Sequence, residues 1–242
     1  MRRIPILASL ALVLALVPGA CGRTETTPGR KLTQLKVPQV ADPPKIDGIL
    51  DDVAWKGAAV ATDFRLADGR EPKGRARLLV AQDAKNLYVA VECFEDETAL
   101  RALRTRIAEH DGDEIWTDDV VELFLDPTNR RQAYYEIIVN ARGITWDAWH
   151  AVPNHPDKSW EPRYEAAVKV GRTSWVAEFA LPWSMFDRTS DSQAAWAFNV
   201  LHFRPSAPEL LFWSPVFSRT AHTPENFGTL TGIVHTTRRA KA

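Results

Sequence analysis

Arg75-Ala76-Arg77-Leu78-Leu79-Val80 and Leu87-Tyr88-Val89-Ala90-Val91-Glu92-Cys93-Phe94 stand on either side of Asp83-Ala84-Lys85-Asn86. Two apolar, β-branched runs around a short polar turn read as a β-hairpin. Alternate side chains of a strand share a face, so Leu87, Val89, Val91 and Cys93 line one side. Cys93 is then a small buried hydrophobe rather than a redox group.

The pattern repeats along the chain. Val120 to Asp126 (VVELFLD) stops at Pro127, and Asn129-Arg130-Arg131-Gln132 makes the next turn. Tyr134 to Val139 and Ile144 to Trp149 bracket Asn140-Ala141-Arg142-Gly143, where the glycine suits a positive φ. Tyr164 to Val170 and Trp175 to Leu181 bracket Gly171-Arg172-Thr173-Ser174, and Trp196 to Phe203, Leu210 to Trp213 and Phe227 to Val234 complete the strands. One stretch reads as a helix, with Thr98 capping Ala99 to Glu109 and Leu100, Leu103 and Ile107 at helical spacing. The expected fold is all-β, an antiparallel two-sheet β-sandwich with one short helix, as a single domain over residues 36–235. Residues 236–242 read as a basic, apolar-poor tail.

Composition narrows the function. The 242 residues are 45% hydrophobic and 25% charged, with 30 Lys and Arg against 31 Asp and Glu, which is globular and not the basic profile of a nucleic-acid binder. Two cysteines exclude a disulfide framework and a tetrahedral thiolate zinc site. Nine tryptophans beside four tyrosines are the unusual feature.

Arg2 and Arg3 precede the apolar run Ile4 to Val17, which ends in Pro18-Gly19-Ala20-Cys21. This is a secretory leader over residues 1–20, shorter than the ~20 apolar residues of a membrane span. Gly19-Ala20-Cys21 resembles a bacterial lipobox, with Pro18 where leucine is usual, and implies that Cys21 is acylated. Gly22 follows it, so no aspartate signals inner-membrane retention. Residues 21–35 then read as a polar tether. The expectation is an exported protein of the cell envelope, anchored in the outer membrane through Cys21, or periplasmic or extracellular.

The richest segment is Trp116-Thr117-Asp118-Asp119-Val120-Val121-Glu122-Leu123-Phe124-Leu125-Asp126-Pro127. Val121, Leu123 and Leu125 form a wholly apolar face and belong to the core. Provided the extended conformation starts early enough, Trp116, Asp118, Val120, Glu122 and Phe124 share the other. An indole beside carboxylates suits a sugar: the ring covers the C–H face of a pyranose and each carboxylate accepts hydroxyl hydrogen bonds. The competing reading is an outer sheet face with Glu122 solvated and Trp116 packed under a loop. Trp55, Trp175, Trp183 and Trp196 read as packing. Trp146 and Trp149 have opposite parity, so at most one faces the core; Trp149, His150 and the loop carrying Trp160 would extend a binding surface.

Ile46-Asp47-Gly48-Ile49-Leu50-Asp51-Asp52-Val53-Ala54-Trp55 resembles the opening of family 9 carbohydrate-binding modules, which have a DOMON-like β-sandwich. Leu87 to Val91, Trp116 to Glu122, Tyr134-Tyr135-Glu136, Trp213-Ser214-Pro215 and Pro224 to Gly228 are similar to that family's later landmarks, in order. The resemblance implies binding at glycan chain ends between two tryptophans. Trp116 would be the first, with Glu122 and Asn140 as polar sugar contacts. The second tryptophan would fall near Ala221, and an expected arginine is Ile138 here. Phe217 or His222 is the candidate replacement wall and Arg219 the replacement cation. The resemblance also implies a glycoside hydrolase as partner on another chain.

Other chemistries draw on parts of the same sequence. A glycosidase needs two carboxyls about 5–9.5 Å apart, and Asp118 and Glu122 lie roughly 13 Å apart along one strand. Haem held by Met185 opposite His150, His155, His202 or His222 is the electron-transfer alternative for a DOMON-like sandwich. Calcium would draw on Asp111, Asp113 and Asp118 within the acidic cluster that includes Glu114 and Asp119. A sandwich that has lost its sugar site and serves as a scaffold is the remaining alternative.

Overall fold

The computed structural model describes residues 32–188, 194–205 and 208–234. The leader, Cys21 and residues 236–242 lie outside them. Among the described residues, twelve strands form two sheets. One has the order β1 (Gln34–Lys36), β12 (Gly228–Thr231), β10 (Ala195–Arg204), β5 (Val120–Asp126), β6 (Tyr134–Asn140), β7 (Thr145–His150), with β11 (Glu209–Phe212) also paired to β10. The other runs β2 (Ala59–Ala61), β3 (Arg75–Gln82), β4 (Asn86–Phe94), β9 (Ser174–Pro182), β8 (Glu165–Val170). The expected sandwich is present, antiparallel except where β1 joins β12 in parallel. Gln34 and Leu35, read from sequence as the end of the tether, belong to that edge strand.

The β3–β4 hairpin forms because its turn and its faces agree. Asp83 Oδ1 accepts the Lys85 and Asn86 amides at 2.7 Å, closing the turn. Pairing Leu78 with Val91 and Val80 with Val89 then puts one apolar face inward. Cys93 joins Leu87, Val89 and Val91 in the main core between the sheets. Val121, Leu123 and Leu125 of β5 enter that core from the other sheet, and Trp175, Trp183, Trp196 and Trp213 also belong to it.

The opening motif is a clamp on the outer face of the five-stranded sheet. Helix α1 (Val53–Lys56) lays Trp55 on Leu79, Ala81, Tyr88 and Ala90, so Trp55 covers this sheet rather than filling the space between the two. Ahead of it, Glu178 of β9 accepts the Asp47 and Gly48 amides at 2.9 and 2.6 Å. Gly48 has φ +80, and a Cβ there would sit 2.5 Å from Lys169 Cβ and 2.7 Å from its backbone nitrogen. Gly48→Ala is therefore expected to destabilise by about 2 kcal/mol or more, read as a lower urea midpoint with unchanged slope.

The helix differs from expectation. Helix α2 is Glu97–Arg101, and its cap is Asp96, which accepts from the Ala99 amide, not Thr98. It stops because the following amides are claimed elsewhere: Asp119 accepts from Arg104, and Asp118 from Arg106 and Ile107. Carboxylate acceptors outcompete helical carbonyls for these amides.

His202 of β10 faces the core beside Trp175, fully buried, and neither ring nitrogen has a hydrogen-bond partner among the described residues. Burial, with the Arg204 charge adding, lowers its pKa from 6.5 to about 3. The unfolded chain therefore binds a proton that the folded chain refuses, and stability drops as pH falls below 6.5 toward 3. His202→Leu is expected to remove roughly 2–3 kcal/mol of the loss between about pH 6.5 and pH 4.5, measured by urea unfolding at both values.

Candidate functional site

The outer face of the seven-stranded sheet is read off its register. Leu201, Glu122, Ile138 and Trp146 form one row across β10, β5, β6 and β7, and Asn199, Phe124, Glu136 and Ala148 the next. Tyr134 and His150 pair in the row beyond. Glu122, Glu136 and His150 thus descend diagonally across three adjacent strands, at the spacing where long side chains meet. The loop between β11 and β12 brings His222 onto this diagonal, its ring 5.3 Å from that of His150. Tyr134 stacks on His150 at 4.6 Å and lies 2.7 Å from His222 Nδ1 through its hydroxyl.

This cluster is polar yet buried. Glu122 and Glu136 face each other closely enough to share a proton, and burial together with Glu136 holds Glu122 well above the usual carboxylate range. Burial likewise raises Glu136 to about 7 and lowers both His150 and His222 to about 4. A carboxyl pair in contact is not the separated acid and base that glycoside hydrolysis requires. The pair can instead donate and accept hydrogen bonds to one hydroxylated ligand.

Trp116 lies one step toward the sheet edge. It is not on β5, as an early start to the strand would require, but in a 3-10 turn, Ile115–Thr117. Ile115 anchors that turn in an apolar patch with Val120, Ile138 and Trp146. Trp116 remains 48% exposed, its ring braced edge-on against Trp146 at 6.4 Å and 86°. Trp146 is thus the outward member of its pair, while Trp149 packs toward the core against Tyr135.

Other sequence candidates are placed differently. Asn140 is fully buried: its Nδ2 donates to Ile107 O and Asp118 Oδ2, and its Oδ1 accepts the Arg142 and Ile144 amides. With every amide atom engaged it orients the loop beneath Trp116 rather than a sugar. Phe217, at φ 49, packs beside Gly69 and lines an open groove of about 520 Å³ with Leu66, Asp68, Arg70, Leu210 and Arg219. Of the three replacements for the second wall and cation, His222 is the one that joins the Glu122 cluster. Ala221 packs against the Phe124 and Phe227 side chains that floor it.

Asp111, Asp113 and Asp118 do not converge on a cation. Asp118 accepts three donors within the fold, Asp113 reaches toward Lys158, and Asp111 accepts the Asp147 amide beside His110. Nor do the haem ligands meet: Met185 lies in the core next to Phe186, which packs on Trp196, whereas His202 sits six residues further along β10 beside Trp175, His150 and His222 are on the outer face, and His155 is exposed. Trp160 is also core, donating its indole N–H to Met185 O, so it does not extend a surface.

Sequence reasoning did not assign Glu136, His150 and Tyr134 to a shared site. Alternation in Tyr134 to Asn140 already puts Tyr134 and Glu136 on the face opposite Tyr135 and Ile137. Only the pairing register sets them beside Glu122.

The sequence matches the family described as carbohydrate family 9 binding domain-like over residues 46–231. Endo-1,4-beta-xylanase A of Thermotoga neapolitana is 23% identical over 194 residues, and that of Thermotoga maritima 22%. Each alignment covers 77% of this chain, which spans only 17% of the length of either xylanase. A family 9 module from Caldicellulosiruptor kristjanssonii in complex with cellotriose superposes with TM-score 0.58 at 18% identity, over 87% of this chain and 97% of that one. A putative carbohydrate-binding protein from Bacteroides uniformis gives 0.64 at 18%, over 82% and 98%. The landmarks behind the match are mostly scaffold: Glu178 holds Asp47-Gly48, and Trp213 packs so closely on Gly228 that a Cβ there would lie 2.5 Å from its ring. Because that match runs from the α1 clamp to β12 and so takes in both sheets, the chain belongs to the carbohydrate family 9 binding domain-like family.

Proposed function

We propose that this protein is a non-catalytic carbohydrate-binding module whose ligand lies on the outer face of the seven-stranded sheet, against Trp116 and Glu122. The observation that carries this reading is the half-exposed indole of Trp116, held rigid on buried Trp146 at the edge of a face bearing a carboxyl pair. A surface tryptophan braced in this way presents apolar area to a sugar ring at little ordering cost. Family 9 structures in complex with cellotriose and with glucose support a ligand of the same class.

The ligands are short oligosaccharides or the ends of plant- or microbial-type glycan chains, bound in support of polysaccharide breakdown. The apolar leader and Gly19-Ala20-Cys21 support export and attachment to the cell envelope through an acylated Cys21. Catalysis then belongs to a partner glycoside hydrolase. Calorimetric titration of the full chain with glucose, cellotriose and a xylo-oligosaccharide tests the binding reading. A saturable heat with at least one of them is expected. Silence with all three would overturn it and leave a scaffold domain, in line with Ala221 standing where a second stacking wall is implied.

A further inference from the structure

The diagonal Glu122–Glu136–His150, closed by His222, holds more donor atoms than a sugar-binding reading uses. One donor atom each from Glu136, His150 and His222 lies within 4.8 Å of the other two. His150 Nε2 is 2.5 Å from Glu136 Oε2. Yet both ring nitrogens of His150 and Glu136 Oε2 have no hydrogen-bond partner among the described residues, although these side chains are 99% and 97% buried. A contact that short without hydrogen-bond geometry leaves these three atoms desolvated and unpaired, which native structures rarely tolerate without a reason.

We propose that Glu136, His150 and His222 form a binding site for a divalent transition ion of the zinc class. Two imidazoles and a carboxylate suit zinc, nickel or copper, whereas calcium takes oxygen ligands. Bonds of about 2.0–2.2 Å to a tetrahedral ion put its ligands roughly 3.4 Å apart. The ion would thus hold His150 and Glu136 further apart than their present contact. The rest of the arrangement is that of a supported metal site. The Tyr134 hydroxyl, 2.7 Å from His222 Nδ1 and accepting the Asn154 amide at 3.1 Å, fixes that ring and leaves Nε2 for the ion. Tyr134 also stacks on His150, and β6 and β7 hold two of the ligands on paired, rigid strands. Glu122 adjoins the position left open and either fills it or yields it to water. The inference goes beyond the sugar reading and does not depend on it.

The test is titration of the untagged full chain, stripped with chelator, with Zn²⁺ and with Co²⁺, in the absence of carbohydrate. One equivalent of Zn²⁺ is expected, with Co²⁺ giving the visible absorption of a low-coordinate nitrogen- and oxygen-ligated ion. His222→Ala sits on a half-buried loop outside the sheets and tests the site without disturbing the strands; it and His150→Gln should each weaken uptake by about 100-fold or more. His110→Ala, in the separate His110–Asp111–Asp147 group, should bind as the wild type does. No stoichiometric uptake by the wild-type chain would overturn the proposal. So would uptake that survives both His222→Ala and His150→Gln, or uptake abolished in His110→Ala instead.

Discussion

Trp116→Ala is expected to weaken carbohydrate binding by about 2–4 kcal/mol, roughly 30- to 1000-fold, while leaving the protein folded. Nearly half of the indole is in water, so its removal opens no sealed cavity. Within the fold, truncation gives up the edge-on packing of this ring on Trp146, worth about 0.5–1.5 kcal/mol. Trp146 itself stays packed with Ile115, Val120 and Ile138. Calorimetric titration and urea unfolding on one preparation separate the two effects. A variant that unfolds would identify Trp116 as a structural plug. One that folds and binds normally would remove it from the site.

Asp118→Ala is expected to cost about 3–5 kcal/mol of stability. Asp118 is fully buried and accepts the Arg106 amide at 2.9 Å, the Ile107 amide at 3.0 Å and Asn140 Nδ2 at 3.0 Å. Truncation strands three donors together. It also frees the segment between α2 and β5 that carries Trp116, so ligand affinity should fall with stability. Asp118→Asn keeps one acceptor oxygen and should lie between the two. Urea unfolding of both variants checks the order, and equal stability of Asp118→Ala and wild type would show that the loop is held elsewhere.

These two residues are neighbours in one motif and have opposite duties, which the motif alone does not reveal. Trp116 and Asp118 share the parity of Glu122, and sequence alternation assigns all three to one outer face. That assignment holds only once the strand has begun, at Val120. Ahead of it the chain turns through Ile115–Thr117, sending Trp116 to solvent and Asp118 inward to the loop amides. The same limit explains the shortened helix. The spacing of Leu100, Leu103 and Ile107 is a local signal, and it loses to carboxylates that lie close only in the folded chain.

Features that depend on neighbours along the chain are written in the residues themselves. The period-two alternation of Leu87 to Cys93 and of Val121 to Leu125, and the polar turns between strands, specify which side chains face the core, because a strand's faces are set by its own pleat. Which outward residues meet is a different matter, and it emerges only from the assembled sheets. Glu122, Glu136 and His150 come together through the pairing of β5 with β6 and of β6 with β7, and a slip of one residue in either pairing would separate them. His222 arrives from a loop far along the chain, and Asn140 is withdrawn from the same face by hydrogen bonds to loops on both sides. Register and loop closure are set by the sum of many contacts distant in sequence, so no local pattern encodes them.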